Sequence, residues 1–119
     1  MLEMRNFIGG EWTHGETTLA NINPSDTSDI IGDFAQGSIS QLNDAVQAAR
    51  AAQPKWWTVG IQKRHDVLMA IGTEMMARAE EIGRLLSREE GKPLVEGKGE
   101  VYRAGQFFTY SAAEALRQM

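Results

Sequence analysis

The sequence contains no cysteine. Disulfides, thiolate metal sites and any mechanism in which this chain supplies its own sulfur nucleophile are therefore excluded. Histidine is nearly as scarce: His14 and His65 are the only two, far apart, so a zinc site would need carboxylates at no recognisable spacing. No apolar run reaches the roughly 18 residues that suggest a membrane-spanning helix. Met1 to Phe7 mixes Glu3 and Arg5 into its apolar residues, so no signal peptide is readable and a cytoplasmic location is expected. Positive charge is also short. Lys and Arg number 12 against 16 Asp and Glu, a net charge of −4, and the isoelectric point is about 5.1. Neither nucleic acid nor an anionic membrane is an expected partner. A length of 119 residues suits one domain or one piece of a larger one.

What is present changes period along the chain. Phe7-Ile8 and Glu11-Trp12 flank Gly9-Gly10, a pair able to supply the positive φ values of a two-residue hairpin turn. Leu19 to Asn23 runs into the turn-rich Pro24-Ser25-Asp26-Thr27-Ser28, and Asp29 to Ala35 reads as a further strand, the alternative being a loose surface loop. From Ser38 the pattern is helical. Ser38 and Gln41 match a capping box, and Leu42, Ala45, Val46, Ala49, Ala52 and Trp56 form one apolar stripe, expected to be core, with Pro54 disturbing its last turn. A second stripe runs from Ile61 through Leu68, Ile71, Met75, Ala79 and Ile82 to Leu86, with its methionines read as core filler. At about 1.5 Å per residue it would be a rod of roughly 45 Å, so a break is expected near Gly72 or Arg78. Gly91 suits a left-handed helix cap and Pro93 the first turn of the next helix, which carries Val101, Ala104, Phe108, Ala112 and Ala115. That helix reaches Arg117-Gln118-Met119 without a capping signal, which leads us to expect its partner further along a longer chain. The expected class is α+β and helix-rich, with a small N-terminal antiparallel β portion, strands over about 6–35 and helices over about 40–118.

Self-contained chemistry is not legible in these residues. Gly97 and Gly99 form a G-x-G that neither follows a strand nor continues to a third glycine, so it is not a dinucleotide loop. Glu80-Glu81 and Glu89-Glu90 are adjacent, and neighbours on a helix diverge by about 100°, so solvated faces explain them better than paired acid–base catalysis.

The order of the segments carries more than any one of them. Asn6-Phe7-Ile8-Gly9-Gly10-Glu11-Trp12, Ile22-Asn23-Pro24-Ser25-Asp26, Ile30-Ile31-Gly32, Trp56-Trp57, Glu89-Glu90-Gly91-Lys92-Pro93-Leu94, and Gly99-Glu100-Val101 with Tyr110-Ser111-Ala112 together resemble the opening of the aldehyde dehydrogenase superfamily. Leu86 to Lys92 and Gly97 to Gln106 are most similar to the α-ketoglutaric semialdehyde dehydrogenases. The resemblance implies an α/β parent fold in a much longer, homo-oligomeric subunit, of which residues 1–119 would be the N-terminal part. The implied reaction is thiolate attack on an aldehyde, hydride transfer to NAD or NADP, and hydrolysis of the thioester to the acid. The catalytic cysteine, its glutamate base and the nicotinamide-binding lysine all come later in the family, so no catalytic or cofactor-binding residue is expected here. The aldehyde and the rest of the subunit would be the partners.

Two features carry over residue by residue. Main-chain oxygens before the Asn-Pro turn and an acid before Gly-Lys-Pro hold a monovalent cation in many relatives; here these are Asn21, Ile22 and Glu89, although Glu89 also reads as an acid near a helix end. Arg103 matches a position lining the aldehyde tunnel, where a guanidinium would favour a carboxylated aldehyde; it also reads as a solvent-facing arginine. The choice of NAD or NADP, the exact aldehyde and the oligomeric state stay open. So does a different class, a non-catalytic helical interaction or oligomerisation module.

Overall fold

The computed structural model describes residues 2–117. Gln118 and Met119, where the uncapped helix end was expected, lie outside them. The chain divides into two compact units, Met1–Trp57 and Thr58–Met119.

In the first unit, β2 (Asn6–Ile8) and β3 (Glu11–Thr13) form the expected hairpin, paired Asn6 to Thr13 and Ile8 to Glu11. Gly9 and Gly10 make the turn at φ of 62° and 94°, values a side chain would resist. A separate sheet has the order β1-β5-β4. Its outer strand β4 (Thr17–Ile22) runs antiparallel to β5 (Ile30–Gln36), and the register slips at a bulge between Asn21 and Ile22. The turn joining them is closed by side chains: the Asn23 carboxamide oxygen accepts from the Ser25 amide at 2.9 Å, and the Asp26 carboxylate from the Ser28 amide at 3.1 Å. Strand β1 (Leu2–Met4) adds to β5 in parallel, Leu2 beside Gly32 and Met4 beside Phe34. Three residues are too few for a periodic signal, so this non-local, parallel pairing left no trace in the sequence pattern.

Helix α1 (Ile39–Thr58) begins with the expected reciprocal cap: the Ser38 hydroxyl accepts from the Gln41 amide and the Gln41 side chain accepts from the Ser38 amide, each at 3.2 Å. Gln41 also donates to the His14 carbonyl at 2.7 Å, tying the loop before β4 to the helix start. Pro54 does not end the helix, which runs on to Thr58; a proline there forgoes the bond to the Arg50 carbonyl and crowds it, yet four further residues stay helical. The apolar stripe departs from expectation. No residue of α1 is buried, and Leu42 stays 63% exposed with Val46 and Trp56 exposed beside it. Apolar clefts between hairpin and helix, lined by Phe7, Ile8, Ala45 and Ala48 among others, remain open. Periodicity marks a face suited to burial, but a face is buried only where something covers it.

The second unit is a three-helix assembly. The long stripe breaks at Arg78, between α2 (Ile61–Ala77) and α3 (Ala79–Glu90). Gly72 continues the helix instead and is buried. A Cβ there would stand 2.6 Å from the Gly105 carbonyl oxygen, and a Cβ on Gly105 2.7 Å from that of Gly72, so two backbones meet where side chains would part them. Gly91 caps α3 at φ 69°, and the Lys92 amide donates to the Ser87 carbonyl at 3.2 Å, a Schellman-type closure. Helix α4 spans Leu94–Arg117. Pro93 sits one position before it rather than inside its first turn, with its carbonyl accepting from the Glu96 and Gly97 amides. Val101 and Ala112 are buried, Val101 by the contacts of α4 with α2 and α3.

Candidate functional site

The candidate residues fall in both units. Asn21 and Ile22 end β4 at the bulge. The residue left out of the ladder there is Ile31 of β5, while Asn21 and Ile22 keep partners, Gly32 and Ile30. In the second unit Glu89 occupies the last turn of α3, half-buried. It borders an apolar cavity of about 330 Å³ whose lining includes Met75, Ile82, Leu86, Val101 and Glu100. The structure thus brings Glu89 and Glu100 to one cavity, a pairing not foreseen in the sequence.

Arg103 lies on the exposed side of α4. One turn on is Phe107, 63% exposed, and a further turn on is Tyr110; at spacings of four and seven they share its side of the helix. Among the described residues Arg103 makes no ion pair, whereas the neighbouring charges are engaged. Lys98 binds Glu80, which also accepts from Arg84 at 2.8 Å. Arg78 holds Glu81 through two bonds of 2.9 and 2.7 Å. Lys92 donates to Glu100 at 2.6 Å and pairs with Glu90. These contacts set the titration behaviour. Donation from Lys98 holds the Glu80 carboxyl below the usual glutamate range, and donation from Arg78 does the same for Glu81. Bonding to Glu100, then to Glu90, raises the Lys92 ammonium. Glu80 and Glu81 therefore serve separate ion pairs, as the divergence of helical neighbours requires.

Sequence reasoning missed the link between Lys92 and Glu100. Eight residues across a capped turn match no fixed helical spacing, and only the loop geometry brings them together. His65 sits on α2 with its Nδ1 3.0 Å from the Asp66 carboxylate, a local pair that brings no second histidine near. Gly97, the first glycine of the G-x-G, is buried within α4, and a Cβ there would stand 2.6 Å from the Gly83 carbonyl oxygen. Its backbone is committed to helix packing, so these glycines do not form a phosphate-binding turn for a dinucleotide.

Comparison with known proteins identifies the architecture. The aldehyde dehydrogenase family profile matches residues 12–119. The chain belongs to that family. It is 33% identical over 113 residues to an alpha-ketoglutarate semialdehyde dehydrogenase of Haloferax volcanii, covering 93% of this chain and 23% of that protein. The alpha-ketoglutaric semialdehyde dehydrogenase of Bacillus subtilis is 34% identical over 115 residues, covering 95% and 24%. Among solved structures, the NADP-dependent glyceraldehyde-3-phosphate dehydrogenase of Bacillus halodurans, complexed with NADP, matches with a TM-score of 0.93 and 30% identity, over 98% of this chain and 25% of that one. The chain thus spans about a quarter of the length of these family members. The helix-rich α+β arrangement is that of a segment of the aldehyde dehydrogenase fold.

Proposed function

We propose that residues 1–119 form the N-terminal part of an NAD- or NADP-dependent aldehyde dehydrogenase subunit that oxidises a carboxylated semialdehyde, such as α-ketoglutaric semialdehyde, to the acid. The observation that carries the substrate class is the exposed guanidinium of Arg103, without an ion-pair partner among the described residues. A carboxylate can meet it through two parallel N–H donors, a geometry that a lysine does not offer. The semialdehyde dehydrogenases among its relatives support the same reading. In this reading Arg103 binds and orients the acid end of the substrate, and the aldehyde end is presented to residues beyond this segment. The dinucleotide accepts hydride and is held elsewhere in the subunit, since Gly97 and Gly99 lie within helix α4 rather than in a strand-to-helix turn. The chain by itself is inactive in this reading, because thiolate attack on an aldehyde requires a sulfur that the sequence lacks.

Main-chain oxygens at Asn21 and Ile22 and, in the other unit, the Glu89 carboxylate are each read as monovalent-cation ligands, as the family resemblance implies. Main-chain and carboxylate oxygens suit a hard ion.

Kinetics of the complete subunit test the substrate class. Arg103→Met is expected to raise KM for an acidic aldehyde about tenfold, the worth of one charge-assisted contact, and to leave a neutral aldehyde of equal length unaffected. Equal losses on both substrates would sink the assignment.

A further inference from the structure

The availability of Arg103 is not self-explanatory. Glu100 lies three residues before it on α4 and is the only acid within one turn on either side. An acid and an arginine three apart on one helix face are neighbours, and their pairing is favoured about twofold. Yet the Glu100 carboxylate is bonded to Lys92 at 2.6 Å. Lys92 comes from the turn after α3, and its side chain is only 17% exposed, so it is held by its surroundings as well as by charge. Its position is fixed by the left-handed Gly91 and by the Lys92 amide bond to Ser87. Glu100, by contrast, is 55% exposed and would be free to turn along the helix if Lys92 let go.

The geometry points to Lys92 as a positioning residue that holds Glu100 away from Arg103 and so keeps the guanidinium open to a carboxylate ligand. This rests on the assignment of Arg103 to the acid end of the substrate, but its physical core, the competition between Lys92 and Arg103 for one carboxylate, stands apart from it. Glu100 meets the cation that is better anchored. Arg103, which no other acid on α4 can reach within a turn, is left without an ion pair among the described residues. The turn that ends α3 therefore acts on a side chain nearly three turns into α4 without touching it.

The test has two arms that can fail separately. In the nitrogen-15-labelled 119-residue chain, exchange of the Arg103 side-chain Nε–H with solvent reports whether the guanidinium is engaged. Lys92→Met keeps the apolar stem and removes the charge; it is expected to slow that exchange about twofold, in line with the weak preference of an intrahelical pair. Lys92→Met combined with Glu100→Gln is expected to restore the original rate, as is Lys92→Arg in place of Lys92→Met. An Arg103 signal identical in Lys92→Met and the unaltered chain, with helical content intact, overturns the inference whatever the substrate. In the complete subunit, Lys92→Met is expected to raise KM for an acidic aldehyde two- to threefold at unchanged kcat, with a neutral aldehyde unaffected and Glu100→Gln reversing the change. If the exchange result holds while Arg103→Met shows no preference between aldehydes, the substrate reading falls and the competition for Glu100 survives. A loss on both aldehydes that Glu100→Gln fails to reverse counts against positioning and for a structural role of Lys92.

Discussion

The two units solve the same problem differently. In the second, α4 packs into α2 and α3 through backbone, with Gly72 and Gly105 face to face and Gly83 against Gly97, and its apolar residues Val101 and Ala112 are buried. In the first, α1 carries as regular an apolar stripe and buries none of it, leaving open clefts beside the hairpin. The difference teaches that an apolar period states a capacity and that glycine at a crossing states a contact. A stripe can await any complementary surface, whereas a missing Cβ opposite another backbone fits one neighbour.

The comparison breaks most readily at Gly72. Gly72→Leu is expected to lower the stability of the helical unit by about 3 kcal/mol, read from the urea midpoint, because overpacking against a rigid backbone has no flexible neighbour to yield. Leu42→Ala in α1 is the counterpart and should change the stability of the first unit by less than about 0.5 kcal/mol, as expected for an exposed site. Similar losses at both positions would mean that the stripe of α1 is covered after all. A smaller effect comes from the α1 cap. Gln41→Ala removes an acceptor for the Ser38 amide and a donor for the His14 carbonyl, and a loss of about 1 kcal/mol is expected from chemical denaturation followed by tryptophan fluorescence; no change would show that the cap and the loop are independent.

The smallest effect is that of pH on the ion pairs of the second unit. Glu80 and Glu81 titrate below the ordinary glutamate value of 4.5, so their contribution is complete above that value and is lost as pH falls through their lowered folded values. Lys92 has the opposite sense: its contribution is complete below 10.5 and is lost as pH rises past its raised folded value. Thermal midpoints should therefore be flat near neutrality and decline at both extremes. Because Glu80 and Glu81 are exposed, about 0.5 M salt should flatten the acid limb, and an acid limb insensitive to salt would assign it to other carboxylates.

Local chemistry was the legible part of this sequence. The Gly9-Gly10 turn, the Ser38 and Gln41 cap and the left-handed Gly91 each depend on residues within a few positions of one another, and each is found where its residues predict. The break in the long stripe was only half legible, since Gly72 and Arg78 both qualified until the contact of Gly72 with α4 decided for Arg78. The parallel partner of β5 was not legible, as a three-residue strand has no period. The candidate site was harder still. Main-chain oxygens at Asn21 and Ile22 leave no side-chain signature, and Arg103 is distinguished only by the partner it lacks, so both came from family resemblance rather than from residue pattern. Lys92 and Glu100, joined across a turn, became visible only in three dimensions.

The meeting of Gly72 and Gly105 has a consequence for how such a sequence can change over generations. A side chain added at either position strikes the carbonyl of the other, so mutating the second glycine relieves nothing and no order of single substitutions leads away without passing through a strained chain. Each position is therefore held to glycine on its own account, and change at this crossing must begin with a shift of the helices themselves.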